Sequence, residues 1–296
     1  MRNAAMLPAI ALATLSLVWG YNWVAAKIAL AYAGPLTFAA LRFAIAPVCL
    51  LPMMLGMHVR VLLSREHAIV AFVLGVILAA NFAATFIALQ IGGAGKTAVL
   101  VYTMPFWVLV FARIALHERL TGLQMLAVPF ALAGLALLTT PWGSAAQLLP
   151  CVLAIGAGVT WAASVVYIKH LQRKAPISML ALTFWQMVVA AAALGLGLST
   201  LVSEAPVIWS PQFVAALLFT AVLATGLGWV AFYYALRRMS AGMASLGTLA
   251  TPVIGVLCAW LQLGERPSPL EATGMLLIAA GLSLPVWDGL QTKARA

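Results

Sequence analysis

Charge is what this sequence has little of. Only 7% of its 296 residues are Asp, Glu, Lys or Arg, against about 25% in a soluble domain. The acids are Glu66, Glu118, Glu204, Glu265, Glu271 and Asp288, and the histidines are His58, His67, His117 and His170. No HExxH motif and no nucleophile–base pair stands out. The three cysteines, Cys49, Cys151 and Cys258, are odd in number and too far apart in sequence for a metal pair. These gaps speak against an enzyme, a bound metal, a cofactor and a disulfide framework. The net charge of +10 comes from basic residues scattered singly or in pairs, which is no nucleic-acid footprint.

What fills the chain is apolar: 65% of residues are hydrophobic and the mean hydropathy is +1.09. Charge is expensive in lipid and apolar side chains are not, so the chain reads as an all-α integral membrane protein. A spanning helix needs about 20 apolar residues. Ten such spans follow, at roughly 6–30, 35–56, 67–90, 95–116, 121–139, 149–169, 177–201, 212–236, 241–262 and 269–287. The first begins at Arg2 and ends near an A-x-A-like "AYAG". Its apolar stretch is longer than the ~7–15 residues of a signal-peptide core, so it is expected to stay.

Alternating ten spans from a cytoplasmic N-terminus puts 12 of the 16 basic residues in inner loops, all but Lys27, Arg42, Lys96 and Arg266. By the positive-inside rule both termini are expected to be cytoplasmic.

The chain also repeats itself. Pro105, Glu118 and Arg119 recur 147 positions on as Pro252, Glu265 and Arg266. Gly95 pairs with Gly242 and Ala88-Leu89 with Ala235-Leu236 at the same offset. Near the start the offset is about 142, pairing Trp19 with Trp161 and Lys27 with Lys169, and Pro35 and Pro176 open the next span of each half. Residues 1–145 and 146–296 thus read as two copies of a five-helix unit. Five is odd, so the second copy enters the membrane inverted, an arrangement that lets secondary transporters rock around a central site.

A "WG" in the first span, Leu41-Arg42-Phe43 in the second, and a proline-bearing fourth span ending in L-x-E-R (Leu116, Glu118, Arg119, and again Leu263, Glu265, Arg266) resemble the EamA branch of the drug/metabolite transporter superfamily. The resemblance covers nearly the whole chain. It implies a ten-helix transporter that exports amino acids or other metabolites, and the chain is most similar to bacterial aromatic amino acid exporters. The second copy reads Leu182-Thr183-Phe184 where the first has Leu41-Arg42-Phe43, a departure from symmetry.

Because no acid or histidine falls at mid-span, the expected substrate is small and nearly neutral, and proton coupling through a buried acid is not expected. In an inverted repeat the lining comes from corresponding helices of both halves. The candidates are Trp19 and Asn22 in the first span, Asn81 and Thr85 in the third, and Tyr102 in the fourth. Trp161 and Ser164 follow in the sixth, Trp229 and Tyr233 in the eighth, and Thr248 in the ninth, with Ser245 and Thr251 beside it. Each single hydroxyl or amide could instead bond its own helix or a neighbouring one. Lys27 and Arg42 are expected near the outer mouth, with snorkelling the plain reading for Lys27 and a bond to backbone carbonyls or to a substrate carboxylate the expectation for Arg42. Pro105 and Pro252 are hinge candidates, since each removes a helical hydrogen bond. Partners are a small-molecule substrate and the lipid bilayer, not nucleic acid, and a monomer is compatible with this reading. Two alternatives stay open, a nucleotide-sugar or phosphate-ester antiporter and a channel-like pore. The first needs several cations converging at mid-depth.

Overall fold

The computed structural model describes residues 2–118, 122–139, 145–174, 178–200, 203–238, 248 and 250–295. Arg119, Pro176, Gly242 and Ser245, named above, lie outside the described residues. Every regular element among the described residues is helical. In chain order they are α1 (Arg2–Ala29), α2 (Pro35–Gly56), α3 (Arg65–Ile91), α4 (Ala94–Val101), α5 (Met104–Ala115), α6 (Gly122–Thr139), α7 (Ala145–Lys174) and α8 (Met179–Thr200). Then come α9 (Pro211–Leu218), a π-helical segment (Phe219–Leu227), α10 (Gly228–Arg238), α11 (Ala250–Leu263) and α12 (Pro269–Arg295).

Six helices among the described residues are long and apolar enough to cross a membrane, counting α4 with α5 and α9 with α10 as single spans. Thr251–Leu263 and Ala272–Gly281 are shorter apolar helices. Of the six, Ala94–Ala115 is the most buried. Most of its side chains are buried within the protein, apart from the exposed end at residues 113–115, as for a helix near the centre of a bundle.

Each helix has to start somewhere, and the starts are written locally. Ser64 Oγ accepts from the backbone N–H of His67 to open α3, and Ser210 Oγ accepts from that of Phe213 to open α9 ahead of Pro211. The start of α2 has only Gly34 at its cap. Its free N–H groups find a distant acid instead. Glu204 accepts from Leu36 N at 3.0 Å and from Thr37 N at 2.8 Å. A negative charge there also suits the positive end of the helix dipole. Glu265 does the same for α4, accepting from Gly95 N at 3.1 Å.

Packing crosses the two halves of the chain. α1 lies mainly against α11 and the α9–α10 span, whereas α7 lies against α3 and the α4–α5 span. α2 packs on α8, and α6 on α12. The centre of the bundle is therefore walled by elements from both halves.

Candidate functional site

The site is built where a helix breaks. Pro105 has no N–H to offer the carbonyl of Val101, and its ring crowds that oxygen. The span stops at Val101, turns through Tyr102 and Thr103, and restarts at Met104. The freed carbonyl of Val101 meets α7 at Gly158, where a Cβ would lie 2.8 Å from the oxygen. A side chain there would push α7 away, so glycine is required by close approach. Tyr102, at the break, is buried with its ring 5.6 Å from Trp161 in an edge contact.

Three tryptophans meet at the centre. Trp19 of α1 stands 5.6 Å from Trp161 of α7 and 6.0 Å from Trp229 of α10, and the latter two are 5.8 Å apart. Tilted and edge arrangements of this kind are favourable for aromatic quadrupoles. Trp19 Nε1 donates to the carbonyl of Ala224 at 2.7 Å. That carbonyl belongs to the π-helical segment, whose wider turn loosens the ordinary ladder. Gly228 makes room, since a Cβ there would come within 2.6 Å of Trp19 Nε1.

Beside the tryptophans lies a cavity of about 50 Å³. Trp19, Asn22, Trp23 and Arg42 contribute from α1 and α2, and Asn81, Phe82, Thr85 and Phe86 from α3. Val101, Tyr102, Trp161 and Trp229 complete the wall. Among the described residues, no carboxylate or imidazole lies on it.

Seven of the ten binding candidates are thus brought together: Trp19, Asn22, Asn81, Thr85, Tyr102, Trp161 and Trp229. Some of their polar atoms are already used. Asn81 Nδ2 donates to Ala157 O at 2.6 Å and to Thr160 Oγ1 at 2.9 Å, tying α3 to α7, and Thr85 Oγ1 donates to Asn81 O. Others have no partner: the Asn22 Oδ1 acceptor, the Trp161 Nε1 donor and Arg42 Nη1 are buried and unbonded. An unmet buried polar atom costs roughly 1–3 kcal/mol, so three on one wall is a concentrated expense.

Three candidates lie off the cavity. Ser164 Oγ donates to Thr160 O of its own helix. Tyr233 is buried against Trp229, with its hydroxyl beside Gln186. Thr248 is buried, and its carbonyl accepts from Thr251 N.

Arg42 corrects its expected place at a mouth. It is 2% exposed and lines the cavity. Its Nε donates to Thr225 Oγ1, and its guanidinium carbon sits 5.1 Å and 5.5 Å from the ring centres of Phe82 and Phe86. Ring faces and a hydroxyl meet part of a cation that sequence depth alone would put nearer water.

Lys27 lies at a helix end, half-buried, and its ammonium is held by backbone carbonyls. Its Nζ donates to the carbonyls of Leu89, Gln90 and Gly92, at 2.7, 3.2 and 2.7 Å. The last carbonyls of α3 have no intrahelical partner, and a cation there is stabilised by the dipole. Pro105 stands at the break described above, and Pro252 is the third residue of α11.

Phe82, Phe86 and Val101 were not foreseen, and nothing in the sequence marks them. An apolar residue on an apolar helix looks the same whether it faces lipid, core or cavity. Trp23 carried a signal, being four residues beyond Trp19 on the same face.

The profile of the EamA-like transporter family matches residues 6–140 and again 148–287. The chain belongs to the EamA-like transporter family. It is therefore a multi-pass membrane protein of a transporter family, all-helical among its described residues, and consistent with the drug/metabolite transporter superfamily. This EamA-like chain is 29% identical to an uncharacterised transporter, YoaV, of Bacillus subtilis (strain 168), over 91% of its own length and 93% of the relative's. It is 27% identical to a protein of Escherichia coli (strain K12) named a probable amino-acid metabolite efflux pump, over 94% of each. A solved crystal structure at 19% identity matches with a TM-score of 0.72, covering 96% of this chain and 98% of that one. That likeness shows the fold alone.

Proposed function

We propose that the protein is a secondary transporter exporting small, nearly neutral metabolites, amino acids foremost and aromatic ones among them first. The observation that carries this is the tryptophan triad of Trp19, Trp161 and Trp229 beside a cavity whose wall presents an unmet acceptor on Asn22 and an unmet donor on Trp161. Aromatic faces suit an apolar side chain, and convergent polar atoms suit an amino or carboxyl group. The Escherichia coli relative's name points the same way.

The reading includes ten spans in two inverted five-helix repeats, 1–145 and 146–296, in the bacterial inner membrane with both termini cytoplasmic. Three observations support it. The family profile matches twice, at 6–140 and 148–287. Trp19 and Trp161, equivalent by the repeat offset, touch at the centre, and Phe82 and Trp229, also equivalent, both line the cavity. The cross-half packing of α1 against α11 mirrors that of α7 against α4.

Alternating access follows from such a pair of halves, with Pro105 and Pro252 as hinges. A cavity of about 50 Å³ is far below the ~300–1,000 Å³ of ligand sites, which fits a closed-down form that widens as the halves rock. A wall without carboxylate or imidazole favours facilitated transport over proton coupling. It carries one cation, Arg42, fewer than a phosphate-ester antiporter calls for.

Purified protein in liposomes, offered a panel of radiolabelled amino acids, tests the proposal. Saturable uptake with trans-stimulation is expected. Uptake that neither saturates nor responds to solute on the far side would replace the transporter with a pore.

A further inference from the structure

Arg42 is a place where the charge of the cavity wall departs from the likeness of the two halves. Its counterpart at the repeat position is Thr183, which is buried and spends its hydroxyl on the carbonyl of Met179 in its own helix. One half thus has a self-satisfied threonine at this position, and the other a guanidinium that lines the cavity. The guanidinium is poorly served. It has five N–H donors. Among the described residues it makes one hydrogen bond, from Nε to Thr225, and Nη1 is buried without a partner. Among the described residues no carboxylate pairs with it. Phe82 and Phe86 cover part of it with ring faces but accept no conventional hydrogen bond.

A buried cation without an anion is a costly thing to keep. A cation of this kind is well explained where the anion arrives with a ligand. Guanidinium binds a planar carboxylate through parallel N–H···O bonds, and the desolvation of the cation has then already been met by the protein, which leaves only that of the carboxylate to be offset by those bonds.

We infer that Arg42 is the carboxylate-recognition group of the cavity, so the solute it takes is a monocarboxylate with an apolar or aromatic body. The inference rests on the transporter reading above and names its substrate class. The carboxylate meets Arg42, the body lies among Trp19, Trp161 and Trp229, and a donor such as an ammonium group meets Asn22 Oδ1. An α-amino acid satisfies all three. An arylalkanoate lacking the amino group satisfies two. An amino-acid amide or an amine fails at Arg42.

The test has a binding arm and a transport arm. In the first, purified protein is melted with 3-phenylpropionate, phenylalanine or phenylalaninamide. In the second, uptake of labelled phenylalanine into liposomes competes with the same three compounds. The expected result is that the two carboxylates act at concentrations about tenfold or more below the amide. Arg42→Gln is expected to abolish that preference and Arg42→Lys to retain part of it. The readout is the ratio of acid to amide on folded protein, so a variant that merely folds poorly does not imitate it. Equal action of acid and amide on the wild type, or an undiminished preference in Arg42→Gln, overturns the inference. Uptake of phenylalanine without carboxylate preference removes the Arg42 subsite and leaves the amino-acid reading. Carboxylate preference in melting without phenylalanine uptake keeps the subsite and removes that reading.

Discussion

Lys27 and Lys169 make the same bond in the two halves of the chain. Lys27 Nζ donates to the carbonyl of Leu89 at 2.7 Å, and Lys169 Nζ to that of Leu236 at 2.7 Å. Leu89 and Leu236 are themselves 147 positions apart. Each lysine therefore runs from its own helix onto the C-terminal carbonyls of another in the same half. The surroundings differ in place but match in kind. Lys27 lies near Glu265, which caps α4 at Gly95, and Lys169 lies near Glu118. Arg173 holds that second cluster by donating to Leu116 O at 2.9 Å and pairing with Glu118 at 2.7 Å. Gly95 and Leu116 stand at opposite ends of the Ala94–Ala115 span, so the two lysine clamps do too. An inverted repeat would produce this relationship.

Removing either clamp leaves carbonyls at a helix end without their cation. Lys27→Ala and Lys169→Ala are each expected to lower the thermal midpoint in detergent by a few degrees, corresponding to about 1 kcal/mol. Arginine at either position should recover part of the loss. Midpoints that do not move would show these bonds to be incidental.

Gly158 and Gly156 sit two residues apart on α7 and make opposite predictions. A Cβ at Gly158 meets the Val101 carbonyl at 2.8 Å, whereas a Cβ at Gly156 meets nothing within 4 Å. Gly158→Ala is expected to cost about 1–3 kcal/mol by overpacking at the break. Gly156→Ala is expected to be neutral or slightly stabilising, since alanine favours a helix. Equal melting of the two variants would mean that α7 does not pack against the break as described.

Trp161→Ala should weaken apparent affinity by several-fold to about tenfold, because ring contacts are worth about 0.5–1.5 kcal/mol beyond area. The loss should be larger for tryptophan than for threonine as substrate. Asn22→Ala should affect all amino acids alike, since its acceptor addresses the part they share. Relative rates that stay constant in Trp161→Ala, on equal amounts of folded protein, would reduce the triad to a packing element.

Membrane orientation is open to direct measurement. A reporter after Ala296 and another placed within residues 171–175 are expected to read as cytoplasmic, and one placed within residues 202–211 as external. The basis is the 12-of-16 bias of basic residues. An external C-terminus would contradict the ten-span count and the inversion with it.

Energetics can be read from the same liposomes. With no carboxylate or imidazole among the described residues of the cavity wall, substrate should run down its own gradient at a rate indifferent to an imposed proton gradient. Accumulation driven uphill by protons alone would require a titrating group elsewhere.

The membrane class and the helical content were legible in the sequence, and so was the candidate set that gathers around the cavity. Hydropathy is a local sum, and 65% apolar residues with 7% charge leave few solutions in which backbone groups are satisfied. Trp19, Asn22, Asn81 and Trp161 were legible too, because an amide or indole deep in an apolar run needs a partner and stands out from its neighbours. The partners themselves were not legible. Asn81 bonds Ala157 across 76 residues, Lys27 bonds Leu89 across 62, and Arg42 reaches Thr225 across 183. Only tertiary structure decided that Arg42 is a wall of the cavity and not a charge at its mouth, that Ser164 bonds its own helix, and that Trp161 is left with an unused donor. The physical reason is that burial of a side chain depends on which helices pack around it, while its sequence records only the helix it sits on.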